Sequence, residues 1–492
     1  MPARTGEQYI ERLRASAKDL WIEGERVSDV TSHPAFAGCA KSLAALYDMQ
    51  HDPVTAPEMT FESTSGNGRE GLSFIAPRCR KELEDRGHMM LKWAQYSGGI
   101  LGRTPDYMNV ILMACATASD FFGQRSPGFG ANIRNYYQYV MSKDLTLTHT
   151  LVNVRRSKTA TGRVEGDDLG LHLVKETDSG IIVKGARILA TLAPLSDEIL
   201  VFPSSVVPSD PSSVGHALAF GLPCDTPGMK LLCRESLDVG RSNFDHPLGS
   251  RFDEGDAVVI FDDVLVPWER VFILNDVEIA NSAFSQTQAG PHISHQIITK
   301  NLAKAEFLLG MATLMTETLG TSDTPHIQSL ASELVIVHGV TKACLTASMA
   351  NAEKNEWGVF SPDPAPLGAA KSVFTTAYPR LIEILQLLGS SSLMAIPTES
   401  DFDSEIGDFL ENYLSTDKLD GRSRVKLFRM AWDLTISSFG NRQVLYERFF
   451  GGDPFRTSAL TFDRYDKEDA KKRAMEVIDR YRQYFVLLAA FL

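Results

Sequence analysis

From about Gly6 to Ser142, apolar positions recur at intervals of three and four, as in "YIERLRASAKDLW", "HMMLKWAQYSGGIL" and "VILMACATASDFFG". That is the period of helices laid against a core, interrupted by an irregular stretch near residues 51 to 77. From about Leu145 to Phe272 the period becomes two, or the runs become short and β-branched: "LTLTHTLVNV", "LGLHLVKET", "GIIVKGARI", "EILVFPSSVV", "HALAFGLP", "MKLLCRES" and "DAVVIFDDVLV". Turn signals at Asp178-Ser179-Gly180 and Asp225-Thr226-Pro227-Gly228 separate these runs, which predicts an antiparallel barrel or sandwich. After "PWERVFI" the helical period returns in "KNLAKAEFLLGMATLMTETLG", "HIQSLASELVIVHGVTKACLTASMANAEKN" and "KKRAMEVIDRYRQYFVLLAAFL". The order predicts three regions: a helical 1–144, a β-rich 145–275, and a 276–492 whose long helices can form a bundle.

At 492 residues the chain is too long for one simple core. Its 49 basic and 62 acidic residues give a net charge of −13, a poor match to nucleic acid or to an anionic membrane surface. A composition of 43% hydrophobic and 23% charged residues points to a soluble protein with a small-molecule or protein partner. The N-terminus lacks the apolar run of a signal peptide, and no later segment approaches the roughly 18 apolar residues of a membrane helix. Six cysteines form no CxxC pair and no metal-ligand spacing, and so read as reduced cytosolic thiols.

Candidate chemistry is sparse. Gly66-Asn67-Gly68-Arg69-Glu70-Gly71 has the dinucleotide spacing, but a polar flank precedes it and Pro77 soon interrupts the segment after it. It reads as a Gly-rich loop, because the functional motif comes after a buried strand and opens a long helix. There is no P-loop, HExxH or GxSxG. His292 and His295 would share a helix face, yet no cysteine or carboxylate lies within the next ten residues. A helix-start or pocket pair is preferred to a metal site.

"GGILGRTPDYMNVIL", Gly98 to Leu112, combines a helix-start signal with a cation and a phenol. Thr104 can cap, Pro105 suits the first helical position and Asp106 the acid-preferring first turn. Spacing alone makes Tyr107 a core tyrosine and Arg103 a surface arginine; their place near a positive helix end opens a second reading, a site for a carboxylate or phenolate. His149 stands among Thr146, Thr148 and Thr150 at the entry to the β region.

Several blocks together carry a resemblance: "RTGEQYIERL", "EGERVSDVTSHPAF", "LYDMQHDP", "GRTPDYMN", "LTHTLVNVRRSK", "GARILATLAPLSDEILVFPS", "SRFDEGDAVVIFDDVLVPWERVF", "LAKAEFLLG" and "FGNRQVLYERFFGGDP". In order, from about residue 4 to 465, the chain resembles the 4-hydroxyphenylacetate 3-hydroxylase family, oxygenase components of two-component flavin-dependent phenol hydroxylases. The resemblance implies an α+β multidomain, acyl-CoA-dehydrogenase-like fold: an N-terminal helical domain, a central antiparallel β-barrel domain and a C-terminal helical bundle, assembled as a homotetramer. It implies FADH2 supplied by a separate NAD(P)H-dependent flavin reductase and O2 as co-substrate. A C4a-hydroperoxyflavin would then transfer its distal oxygen to a ring carbon ortho to the phenol oxygen.

The resemblance makes Arg103, Tyr107 and His149 the catalytic phenol-site residues, with Ser204, Ser205 and His292 also facing the substrate. It places flavin contacts at His149, Thr150, Leu151, Val152, Arg155, Thr191, Gly451, Gly452, Asp453 and Pro454. His149 is expected to accept the phenol proton, its reference pKa of about 6.5 being near working pH, while Arg103 supplies fixed positive charge. Iron–sulfur relatives that dehydrate hydroxyacyl-CoA carry a Cys-x3-Cys pair where this chain has Arg103 and Tyr107, so no metal is expected. Halophenol and nitrophenol members also use a histidine near His292 and His295, which leaves the substrate open between a 4-hydroxyphenyl acid and a substituted phenol. An acyl-CoA-dehydrogenase-type oxidoreductase, needing a carboxylate base over the flavin, and a catalytically silent helical assembly protein are the alternatives.

Overall fold

A computed structural model describes residues 3–63, 68–154, 169–203, 206–211, 213–238 and 240–489. The first helix, Gly6–Ala15, opens with a capping box in which Thr5 accepts from the Gln8 N–H and the Gln8 side chain reaches back to the Thr5 N–H. The chain then leaves the helix. Asp19–Ile22 is a strand parallel to Met229–Cys233, with Leu20 and Ile22 buried and Trp21 exposed. The single helical run read from "YIERLRASAKDLW" is therefore two elements, because a four-residue alternation is too short to stand out from a helical period. Helices Pro34–Asp48, Pro105–Thr117 and Pro127–Lys143 each begin on a proline, whose missing N–H costs nothing at that position.

The central β region is two sheets. A seven-stranded sheet runs in the order Glu25–Arg26, Asp19–Ile22, Met229–Cys233, Asp256–Pro267, Gly180–Thr191 and Val152–Asn153, with His172–Thr177 also paired to Gly180–Thr191. A four-stranded sheet runs Val271–Leu274, Leu218–Pro223, Glu198–Val201 and Leu147–Thr150. The expected antiparallel barrel needs correction on two counts. Neither sheet closes on itself among the described residues, and Asp19–Ile22 pairs in parallel with Met229–Cys233, as Leu147–Thr150 does with Glu198–Val201. Both parallel strands arrive from the helical N-terminal region, so each is inserted beside a strand rather than joined to it by a hairpin.

"LTLTHTLVNV" is split accordingly. Leu147–Thr150 belongs to the small sheet and Val152–Asn153 to the large one, so the chain changes sheets at Leu151. The two sheets meet across Phe220 and Phe261, edge to face with ring centroids 6.0 Å apart. Along the large sheet, Ala257 pairs with Ala190 but Val258 with Ile188, leaving Leu189 as a bulge at φ +71°. A bulge turns the strand end beyond it, which here carries Thr191.

Beyond Leu274 the chain is helical apart from the short antiparallel pair Glu353–Lys354 and Phe360–Ser361, and Ala289–Thr318, Pro325–Ala350, Pro364–Gly389, Gly421–Thr435 and Ser438–Phe449 pack as a bundle. Pro325–Ala350 is long and apolar enough, by length and composition, to cross a bilayer, which corrects the expectation that no segment would be. Its apolar residues are interleaved with Ser, Thr and His rather than run together, so no continuous stretch marks it. The dinucleotide-like spacing ends in a short strand, Arg69–Gly71, succeeded by the single turn Leu72–Phe74, so no long helix opens there. Gly66 and Asn67 lie outside the described residues.

Because Phe220 and Phe261 join the sheets, Phe261→Ala should destabilise the fold by about 3–5 kcal/mol in guanidinium unfolding. A loss below about 1 kcal/mol would show that the sheets do not depend on this contact.

Candidate active site

The segment from Gly98 is shaped by close approaches. Gly98 and Gly99 adopt φ of +60° and +70°, and a Cβ on Gly99 would lie 2.7 Å from the Lys300 carbonyl oxygen and the Lys304 nitrogen. A Cβ on Gly102 would collide with the Tyr446 hydroxyl. The chain is thus pressed between the Ala289–Thr318 and Ser438–Phe449 helices before Arg103 begins. Glu254 Oε1 accepts the N–H groups of Gly102 at 3.0 Å and Arg103 at 2.6 Å. Pro105 starts the helix as expected, but the Thr104 hydroxyl makes no capping bond. It takes a 3.4 Å contact from Gln296 Nε2, which also reaches Asp106 Oδ2 at 3.3 Å. Asp106 is buried, and burial pushes its carboxyl up to about 6.

Arg103 packs against two rings that also touch each other, the Tyr107 and Phe450 centroids being 5.4 Å apart. Its guanidinium carbon is 4.1 Å from the Tyr107 centroid and 4.4 Å from that of Phe450, while Nε and Nη1 are buried with no partner among the described residues. Desolvation pulls its pKa down, but Tyr446, Tyr107 and Glu254 outweigh it and hold the group above its usual value, fully charged. His149 stacks with Tyr107, centroids 5.6 Å apart at 24°. Its Nδ1 is 3.1 Å from Met108 Sδ. A thioether can only accept, so Nδ1 carries the hydrogen and Nε2 keeps the lone pair.

Burial first, and Arg103 second, hold His149 well below its usual pKa. The expectation that its reference pKa makes it a ready proton acceptor is therefore corrected: that value belongs to water, and beside a guanidinium in a dry site the ring is neutral. A second cation lies close by. Lys300 Nζ is 4.6 Å from the Phe450 centroid, and Lys300 and Lys304 share one carboxylate, Glu447, at 2.6 and 2.5 Å. Burial lowers Lys300 to about 7, and against its own burial Glu447 is held down to about 2 by the two lysines. Two lysines share one carboxylate beside Arg103, and burial lowers both, so the pair carries at most one positive charge beyond Glu447 and only part of it near neutral pH.

Several of the expected flavin contacts adjoin this centre along the chain. Thr150 and Val152 come just after His149, and Thr191 is tied to the same strand by the Thr148 hydroxyl donating to its carbonyl at 2.6 Å. Gly451 and Gly452 form a turn directly after Phe450, with Gly452 at φ +104°, and Pro454 opens the next helix. These residues fit a flat heteroaromatic group with a polar edge. The Thr150 hydroxyl is buried without a partner, and the cross-strand pair Val152 and Ile188, with Leu189, are 46%, 39% and 55% exposed. Arg155, Ser204 and Ser205 lie outside the described residues.

His292 Nδ1 is 2.8 Å from Arg86 Nη2, its ring is buried, and His295 is close enough to bear on its charge. No group of three His, Cys, Asp or Glu side chains suited to a metal occurs among the described residues. Sequence reasoning did not single out Met108, Glu254, Lys300 or Phe450. Phe450 had a signal, an aromatic directly before Gly451-Gly452, whereas Glu254 in "RFDEGDAVV" reads as an ordinary loop acid.

Helices around a two-sheet middle, closed by a helical bundle, make an acyl-CoA-dehydrogenase-like fold. The family model for the 4-hydroxyphenylacetate 3-hydroxylase N terminal matches residues 5–273, and that for the 4-hydroxyphenylacetate 3-hydroxylase C terminal matches residues 280–479. The chain belongs to the 4-hydroxyphenylacetate 3-hydroxylase family. It is 44% identical over 489 residues to the 4-hydroxyphenylacetate 3-monooxygenase oxygenase component of Geobacillus sp. (strain PA-9), covering 99% of this chain and 98% of that one. It is also 44% identical to the oxygenase component of the same name from Thermus thermophilus, covering 96% of each chain. A crystal structure of such an oxygenase component, complexed with FAD and 4-hydroxyphenylacetate, matches with a TM-score of 0.93 at 42% identity, covering 98% of this chain and 100% of that one.

The buried histidines provide a stability test. Burial and Arg86 lower His295 from about 6.5 to about 3. The folded state therefore binds fewer protons, and stability is full above pH 6.5 and is lost as pH falls toward 3, by about 1.4 kcal/mol per pH unit. His295→Gln should flatten the decline in unfolding free energy between pH 6.5 and 5 by about 2 kcal/mol. Asp106, whose raised pKa acts with the opposite sign, is common to both proteins and cancels in the difference. An unchanged slope would contradict a buried neutral ring.

Proposed function

We propose that the protein is a reduced-flavin-dependent monooxygenase that hydroxylates a para-substituted phenol, 4-hydroxyphenylacetate or a close analogue, ortho to its hydroxyl. The observation that carries this is Arg103, a charged guanidinium against the adjoining rings of Tyr107 and Phe450, with Nε and Nη1 unpartnered among the described residues. Aromatic walls beside an unmatched cation suit a ring that bears an oxyanion.

Bound reduced flavin, with O2, supplies an electrophilic oxygen. The protein must make the phenol electron-rich and keep the site dry. Arg103 favours the ionised phenol by direct charge, with Lys300 adding to the local positive field. Tyr107 offers its hydroxyl to the same oxygen. His149 presents the Nε2 lone pair, which accepts the phenol O–H and orients the ring before ionisation. Thr150, Leu151, Val152, Thr191 and the turn Gly451 to Pro454 would hold the flavin.

The reductant comes from a separate NAD(P)H-dependent flavin reductase, in keeping with an oxygenase component that has no nicotinamide fingerprint. Homotetramer formation is supported by apolar residues left exposed on the bundle, among them Val335, Ile336 and Val340 on Pro325–Ala350. Six free cysteines are in keeping with a cytoplasmic location.

Supplied with FADH2, air and a panel of phenols, the protein should form catechols. Arg103→Ala should yield more H2O2 per product and lower the hydroxylation rate by about a hundredfold. His149→Ala should lose hydroxylation while still oxidising flavin. Unchanged product per flavin in both variants, or reduction of bound FAD by an acyl thioester with no catechol from any phenol, would overturn this function.

A further inference from the structure

We infer that Glu254 is a positioning residue that fixes Arg103 relative to Thr191, an inference that rests on the proposed phenol hydroxylation. Gly102 and Arg103 precede the helix and belong to no strand, so their N–H groups have no ladder to join. Glu254, 1% exposed, accepts both on Oε1 and receives Arg442 Nη1 on Oε2 at 3.3 Å. Arg442 continues to Asp256 through Nη2 at 2.7 Å and Nε at 3.1 Å. Asp256 Oδ1 accepts the Thr191 hydroxyl at 2.8 Å. A continuous buried chain of charge-assisted bonds thus runs from the backbone of the phenol-site arginine to the side chain of the expected flavin contact.

Three features argue that the chain sets a distance rather than merely filling space. It joins parts of the sequence that share no secondary structure: the loop at 102–103, the strand starting at Asp256 and the helix Ser438–Phe449. Arg442 also lies 4.4 Å over the Tyr446 ring, whose hydroxyl bears on Gly102, so the same arginine presses the loop from a second side. At its far end Asp256 is anchored by Arg234 Nε at 2.9 Å, and Arg234 is itself bound to Asp253. Burying so many charges is costly and would be replaceable by apolar packing if cohesion were all that was needed. Directional bonds between ionised groups fix geometry, and misplacement of a reacting group by about 1 Å can cost up to a hundredfold in rate.

The test uses the full-length protein with FADH2, O2 and a phenol that the wild type converts to catechol. Glu254→Ala removes the acceptor, and Glu254→Gln keeps the side-chain shape and one acceptor oxygen but loses the charge that holds Arg442. In Glu254→Ala the ratio of H2O2 to catechol should rise about tenfold and the KM for the phenol should rise with it, while flavin oxidation stays within about twofold. Glu254→Gln should recover part of that loss. A purely structural role would lower Tm and the amount of active protein yet leave the ratio untouched, because the ratio does not depend on how much protein is folded. A wild-type ratio and KM in Glu254→Ala would overturn the inference; should that variant not fold, a wild-type ratio and KM in Glu254→Gln would do so. Absence of catechol from the wild type with every phenol would instead overturn the function on which the inference rests.

Discussion

The packing of the Arg103 guanidinium against the adjoining rings of Tyr107 and Phe450 is the interaction on which the rest of the site depends. The two rings offer their π faces to the cation but no acceptor, and Nε and Nη1 have no hydrogen-bond partner among the described residues. Its neighbours sharpen that condition. His149 is kept neutral by burial and by Arg103, and Lys300 and Lys304 together have one carboxylate in Glu447. A site in this state gains most from an anion carried on a flat ring, and a phenolate is such a ligand.

The fold is arranged to bring these groups together from distant parts of the chain. Arg103 and Tyr107 come from the helical N-terminal region, His149 from the strand that crosses into the small sheet, and Phe450 from the end of a bundle helix. The change of sheets at Leu151 puts Thr150 and Val152 at the junction of the two sheets. The bulge at Leu189 re-aims the end of the strand where Thr191 is bound to Asp256. Chemistry therefore lies where three regions meet, and the chain from Glu254 to Asp256 keeps that meeting point in register.

Much of this was legible in the sequence because it obeys periodicity. The long helices and the short β runs appeared at their places, and Pro105 opened its helix where a proline should. The strand Asp19–Ile22 was hidden because it is short and comes after a strong helical pattern, and its parallel partner is some two hundred residues away. Sheet closure is a property of pairing between strands, so alternation within each run could not decide between barrel and sandwich. At the site, the resemblance supplied Arg103, Tyr107 and His149, which do come together. It could not supply the pKa of His149, which depends on burial and on Arg103, nor the contacts that Thr104 and His292 make with Gln296 and Arg86. Glu254 escaped because a carboxylate that accepts backbone N–H groups across 151 residues leaves no local pattern.

The central claim is that the pocket binds its phenol as the anion because Arg103 leaves positive charge unmatched. The direct measurement is a spectral titration of 4-nitrophenol, whose ionised form is coloured, bound to the FAD-loaded protein across a pH series. The account predicts that the bound phenol ionises at a lower pH than the free phenol, and that Arg103→Ala returns it toward the free value. A bound phenol that ionises at or above the pH of the free one in the wild-type protein would contradict the account.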